Sequence, residues 1–190
     1  MKLGLTKVIS VQQAMGWDKV TIPKVPSMLL GSYAISPYDV TKLYQTIANE
    51  GTSIPLNTIN SVVDRQGNVV YSREFEPKQV VPREAAFQTL FAMQQVVDRG
   101  TAHSLQPDYA YLHLAGKTGT TNDARDTWFV GIDGENVTTI WLGRDDNGET
   151  KLTGASGALQ VYKEYLKRAT TRPLKLHKLE DIKWGGINAY

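Results

Sequence analysis

The chain has 190 residues, 41% of them apolar, enough for one domain-sized core, and its 21 basic and 19 acidic side chains leave a formal charge of only +2. That balance excludes the strongly basic footprint of a nucleic-acid binder, and the absence of cysteine excludes disulfides and thiolate metal sites. No apolar run reaches the roughly 20 residues that span a bilayer, and Met1 to Lys7 lacks a signal-type apolar stretch, so the chain by itself reads as soluble.

Residues 3 to 15 are read as a helix stopped by Gly16, followed by an extended connection set by Pro23 and Pro26. Ser36-Pro37 has the form of an N-cap with proline at the first helical position. Asp39 suits the positive helix end, and Val40, Leu43, Tyr44 and Ile47 form a stripe that stops at Gly51. From Thr58 to Arg73, β-branched residues flank Asp64-Arg65-Gln66-Gly67-Asn68, the composition of a surface hairpin. Pro82 opens a helix with Ala86, Leu90, Met93 and Val97 on one face and Gly100 as its stop.

The period then changes to that of strands over His113 to Thr121, Thr127 to Ile132 and Val137 to Leu142, the last two joined across Asp133-Gly134. Gly157 to Lys167 returns to helical spacing through Leu159, Tyr162 and Leu166, and beyond Pro173 no period is visible. Helices on either side of a run of adjacent strands predict an α+β fold, an antiparallel sheet with packed helices. His103, His113 and His177 are far apart, none four residues from another, so no metal centre is expected.

One stretch carries chemistry. Gly116-Lys117-Thr118-Gly119-Thr120-Thr121-Asn122 combines a cation, two glycines and three hydroxyls on a strand leading into a loop. A phosphate loop would need glycine where Tyr111 stands, and Gly154-Ala155-Ser156-Gly157 continues with Ala158, not the pattern of a nucleophile elbow. A substrate carboxylate beside a carbonyl that becomes an oxyanion would use a cation, hydroxyls and backbone N–H groups. Lys117, Thr118 and Thr120 supply them. Side chains at i and i+2 share a strand face, which puts Thr118 and Thr120 together for one carboxylate, and Gly119 lets a substrate backbone come close. Trp128, Phe129 and Trp141 are read as packing residues.

K-T-G accompanies S-x-x-K and S-x-N in β-lactamases and penicillin-binding proteins. The collinear set Ala115 to Asn122, Asp126-Thr127-Trp128-Phe129-Val130-Gly131 and Trp141-Leu142-Gly143-Arg144-Asp145 closely resembles the bifunctional class A penicillin-binding proteins, in their 1b type. Met93 to Ala102 and Gly154 to Ala158 resemble the same family's flanking helices, so the likeness covers about residues 1 to 168.

The resemblance implies that residues 1–171 are the C-terminal part of a transpeptidase domain and that 172–190 form a tail with little predicted structure. It also implies that Lys117 polarises the site and that the Thr120 backbone N–H is half of an oxyanion hole. Thr118, Gly119, Thr120, Thr121 and Asn122 would bind substrate. Asn122, Asp123 and Arg125 lie at the rim, and Arg125 departs from the family's neutral residues there. Implied partners are peptidoglycan stem peptides ending in D-alanyl-D-alanine, β-lactams, a second copy and other wall-synthesis proteins, with no cofactor. A parent protein would be held at the periplasmic face of the bacterial inner membrane, with an upstream glycosyltransferase.

The nine serines are followed three positions later by Gln13, Leu30, Ile35, Asp39, Leu56, Asp64, Phe75, Pro107 and Leu159, so S-x-x-K is absent; S-x-N is absent too. By the resemblance the chain begins just past S-x-N, and Met1 reads as an internal methionine of a longer protein. The chain alone is therefore expected to be inactive and to expose an apolar face. The rival expectations are a non-catalytic binding module and a β-lactamase or D,D-carboxypeptidase relative.

Overall fold

The computed structural model describes residues 4–17, 22–177, 179–180 and 182. Met1 to Leu3 and the tail residues 178, 181 and 183–190, on which parts of the sequence expectations fall, lie outside them. Helix α1 (Leu5–Ala14) is followed by a one-turn helix over Pro26–Leu30. The side chains of Trp17, Ile22 and Met28 form a small core against Leu5, Val8 and Ile9 of α1, with Tyr33 stacked on Trp17 at 4.5 Å between ring centroids.

Helix α2 (Pro37–Ala48) begins where the cap signal stood: Ser36 Oγ accepts from Asp39 N–H at 3.1 Å. After α2 the short strand β1 (Thr52–Ser53) pairs with β4 (Lys78–Gln79), enclosing the hairpin β2 (Ser61–Val63) and β3 (Val69–Ser72). Asp64 Oδ1 accepts from the Gln66 and Asn68 N–H groups at 2.8 and 2.9 Å, a turn held by its own first side chain. Every strand position of this hairpin is exposed.

Helix α3 (Arg83–Asp98) buries Ala86, Leu90, Met93 and Val97, the stripe its spacing foretold, together with Phe87. Pro82 stands at its N-cap, one residue outside the first turn. One-turn segments over His103–Leu105 and Ala110–Leu112, with the short α4 (Gln106–Tyr109) between them, lead to β5 (Ala115–Thr120), β6 (Thr127–Ile132) and β7 (Val137–Leu142). These form one antiparallel sheet in the order β5-β6-β7, with Thr118 opposite Phe129 and Phe129 opposite Ile140. Helix α5 (Ala158–Leu166) closes the fold.

The sheet lies between helices. On one face, Leu159, Tyr162 and Leu166 of α5 pack against fully buried Phe129, its ring 4.9 Å from that of Tyr162. On the other face α2 crosses β7, and Thr41 Oγ1 meets Thr139 Oγ1 at 2.8 Å. Helix α3 runs beside β5 and feeds both cores, Leu90 and Met93 into one and Val97 into the other. Each such large apolar side chain, fully buried, contributes about 1.5–3 kcal/mol. The tail carries no helix or strand over residues 172–177, yet Leu174 is buried beside Ala115 and Ile132, and its N–H donates to Leu112 O at 2.8 Å. Among the described residues no helix is long and apolar enough to cross a membrane.

Candidate active site

Strand β5 is an edge of its sheet, paired only with β6 among the described residues. The direction of its backbone groups follows from one bond: Thr121 N–H donates to Asp126 O at 3.1 Å. Bonded pairs alternate in an antiparallel ladder, so by the register Gly119 and Lys117 also bond to β6, opposite Trp128 and Val130. The N–H and C=O groups of Thr118 and Thr120 therefore face the unpaired edge. Lys117 Nζ agrees with this geometry, since it reaches round to donate to Thr118 O at 2.7 Å.

The side chains divide between the faces. Thr118 and Thr120 lie on the α5 side, opposite Phe129 and Thr127, and Thr127 Oγ1 accepts from Ala158 N–H at the start of α5. Both hydroxyls are engaged with separate partners: Thr118 Oγ1 meets Thr101 Oγ1 at 2.7 Å, and Thr120 Oγ1 accepts from Gly154 N–H at 2.9 Å. Thr120 keeps its hydroxyl proton to donate, and the Thr101–Thr118 pair has one O–H to spare. Gly154 backs directly onto the strand: a Cβ there would lie 2.7 Å from Gly119 O and 2.9 Å from Gly119 N, both backbone atoms that a side chain cannot displace without moving β5.

Lys117, Gly119 and Thr121 border an open groove of about 560 Å³ on the other side, walled by Trp128, Trp141 and the Leu30–Ile35 segment. Among the described residues, Lys117 and Asp126 are the only charged ones lining it. The Asp126 carboxylate is occupied by Trp141 Nε1 at 3.0 Å and Thr121 Oγ1 at 3.1 Å, which leaves Lys117 available to an anion. Burial pushes the Tyr33 and Tyr44 hydroxyls on this groove above their usual range, so both stay neutral. Phe129 belongs to the core; Trp128 and Trp141, 6.1 Å apart, stand on the groove, and Trp141 is 43% exposed.

Asn122 is exposed at the start of a one-turn helix, Asn122–Ala124, in which Asp123 and Ala124 have positive φ. Arg125 pairs with Asp123 at 3.4 Å, both exposed, and Ala124 O accepts from Thr150 N–H at 2.9 Å. Ser156 is taken up by a local turn, its Oγ accepting from Thr153 N–H at 2.9 Å. Thr101, Asp126 and Gly154 were not singled out from sequence as site residues. A strand period shows which face a side chain occupies, but not what stands across from it.

A larger cleft, about 800 Å³, opens at the far end of the same sheet. Its acidic and basic groups largely satisfy one another: Glu50 pairs with Arg83 and His177, and Arg172 with Glu135. It lacks the combination of unpaired strand edge, available cation and hydroxyls found around Lys117, so size does not mark the site. No cluster of possible metal ligands occurs among the described residues.

Residues 20–164 match the penicillin-binding protein transpeptidase domain family. The chain is 70% identical over 190 residues to penicillin-binding protein 1B of Haemophilus influenzae, covering all of this chain and 24% of that protein. To penicillin-binding protein 1B of Escherichia coli it is 47% identical over 188 residues, covering 99% of the chain and 22% of the relative. It thus spans about a quarter of the length of these relatives. Among solved structures, penicillin-binding protein 1A of H. influenzae superposes with a TM-score of 0.75 at 20% identity, over 91% of this chain and 32% of that one. PonA1 of Mycobacterium tuberculosis superposes with 0.78 at 20% identity, over 94% and 53%. The chain belongs to the penicillin-binding protein transpeptidase family, with a sequence similar along its whole length to the 1B-type members.

Proposed function

We propose that this chain is the part of a peptidoglycan D,D-transpeptidase that binds the donor peptide's carboxylate and carbonyl, within a bifunctional synthase that also extends glycan strands. The observation that carries the reading is the unpaired edge of β5, which presents the Thr120 N–H next to Lys117 and the hydroxyls of Thr118 and Thr120.

In this reading the acylating serine and its S-x-x-K lysine come from elsewhere in the synthase, since no serine of this sequence has lysine three positions on. The serine attacks the penultimate D-alanine carbonyl; the Thr120 N–H donates to the oxyanion as charge develops, and terminal D-alanine leaves. Lys117 attracts the substrate carboxylate, and the hydroxyls of Thr118 and Thr120 fix its orientation, with Gly119, Thr121 and Asn122 lining the approach. An acceptor amine then takes the acyl group, forming the cross-link. Penicillin mimics the donor and acylates the same serine. The parent protein is placed at the periplasmic face of the inner membrane, and the 190-residue chain alone is inactive.

The test labels source-cell membranes with a fluorescent penicillin and identifies the labelled bands by mass spectrometry. Peptides of this sequence are expected in a labelled band several times heavier than 21.1 kDa. Their appearance only in an unlabelled band of that mass overturns the reading and favours a non-catalytic module.

A further inference from the structure

Asp126 sits where the three strands end together. Its Oδ1 accepts from Trp141 Nε1 on β7 at 3.0 Å and its Oδ2 from Thr121 Oγ1, just past β5, at 3.1 Å. Its backbone closes the same ring: Asp126 N–H donates to Thr121 Oγ1 at 2.8 Å, and Thr121 N–H donates to Asp126 O at 3.1 Å. One residue therefore ties the end of β5 to both β6 and β7. A carboxylate acceptor strengthens both side-chain bonds, and the two backbone-to-Thr121 bonds add to them, so this is a firm attachment for a partly exposed loop.

Space around the carboxylate is limited. A Cβ on Gly143 would stand 2.9 Å from Asp126 Oδ1 and 2.5 Å from Trp141 Cζ2. The residue before Thr121 is Thr120, whose N–H faces the unpaired edge. The Thr121–Asp126 closure therefore fixes the end of the segment that carries that N–H.

Resting on the function proposed above, we infer that Asp126 is a positioning residue for acylation: its carboxylate clasps Thr121 and Trp141 and so sets the direction of the Thr120 N–H. It touches no reacting atom. A donor aimed at a developing oxyanion is sensitive to such a loss, because misplacement by about 1 Å can cost on the order of 100-fold in rate.

The experiment uses the full-length synthase carrying this sequence and a fluorescent penicillin, with the acylation rate constant separated from the noncovalent affinity. Asp126→Ala is expected to lower the rate constant by about 10- to 100-fold while the noncovalent affinity holds. Asp126→Asn keeps an acceptor for the Trp141 indole and offers an amide N–H to Thr121 Oγ1, so it is expected to restore most of the rate. Gly143→Ala, which crowds the clasp but keeps the carboxylate, is expected to slow acylation. Acylation by Asp126→Ala at the parental rate overturns the inference, as does a lowered melting temperature with the rate unchanged well below it. Should Asp126→Ala fail to fold, Trp141→Phe, which removes the indole donor and keeps an aromatic ring, makes the same comparison, and an unchanged rate overturns the inference. A parental protein that takes up no penicillin overturns the proposed function instead, so the two failures are distinct.

Discussion

At the Asp133 end of the three-stranded sheet the chain closes on itself, whereas at the Thr120 end it leaves polar groups presented outward. Asp133 Oδ1 accepts from the Glu135 and Asn136 N–H groups at 2.7 and 2.9 Å, and Leu174 covers Ala115 and Ile132 from the tail. At the other end of the same strands, Lys117 and Thr120 are exposed, and among the described residues the outward backbone groups of Thr118 and Thr120 have no partner strand. One sheet is thus a folding unit at one end and, in the function proposed above, a binding surface at the other. Between the two ends, buried Phe129 in the middle strand anchors the sheet to α5.

Removing that anchor should break the comparison altogether. Phe129→Ala in this chain is expected to cost about 3–5 kcal/mol, read as a fall in the urea midpoint, since the cavity lies where α5 packs on the sheet. A midpoint change no larger than a surface substitution gives would contradict the assignment of the core.

A second substitution sharpens the contrast by disturbing only the site end. Gly154→Ala places a methyl against the Gly119 backbone and is expected to cost about 1–3 kcal/mol. Amide chemical-shift changes should concentrate at Thr118 to Thr121 and Trp128, leaving Asp133 to Val137 unmoved; changes spread over both ends would show that the two are not separable.

The smallest effect is expected at the tail end. The His177 hydrogen bond, then the Arg83 partner, holds the Glu50 carboxyl below its ordinary range. A depressed folded value means that the stabilisation is present above the unfolded value and lost as pH falls through the folded one. Glu50→Gln should therefore lower stability at pH 7 by at most about 1 kcal/mol, because the pair is exposed, and the difference should close in acid. A difference that persists unchanged at pH 3, which is below the usual range of a glutamate carboxyl near 4.3, would rule out this linkage.

Much of the architecture was legible locally. The Ser36-Pro37 cap, the Asp64 to Asn68 turn and the alternating strands around Lys117 depend on residues within a few positions of one another, and each formed close to its expected place. The β1–β4 pair was not legible, because two-residue strands carry no period and their partners stand more than 20 residues apart. The tail's attachment through Leu174 was hidden for a similar reason: a single apolar residue has no period at all.

For the site, the sequence by itself determined the chemical inventory, a lysine, two glycines and three threonines on a strand, and the family to which that pattern points. Only the tertiary structure decided that β5 is an edge, that the Thr120 N–H points outward, and that Thr101, Gly154 and Asp126 hold the strand from its flanks. The physical reason is distance along the chain. Periodicity fixes the face a side chain occupies within one element, but the bonds from Thr118 to Thr101, from Thr120 to Gly154 and from Asp126 to Trp141 join residues 17, 34 and 15 positions apart, and they exist only once the elements have packed.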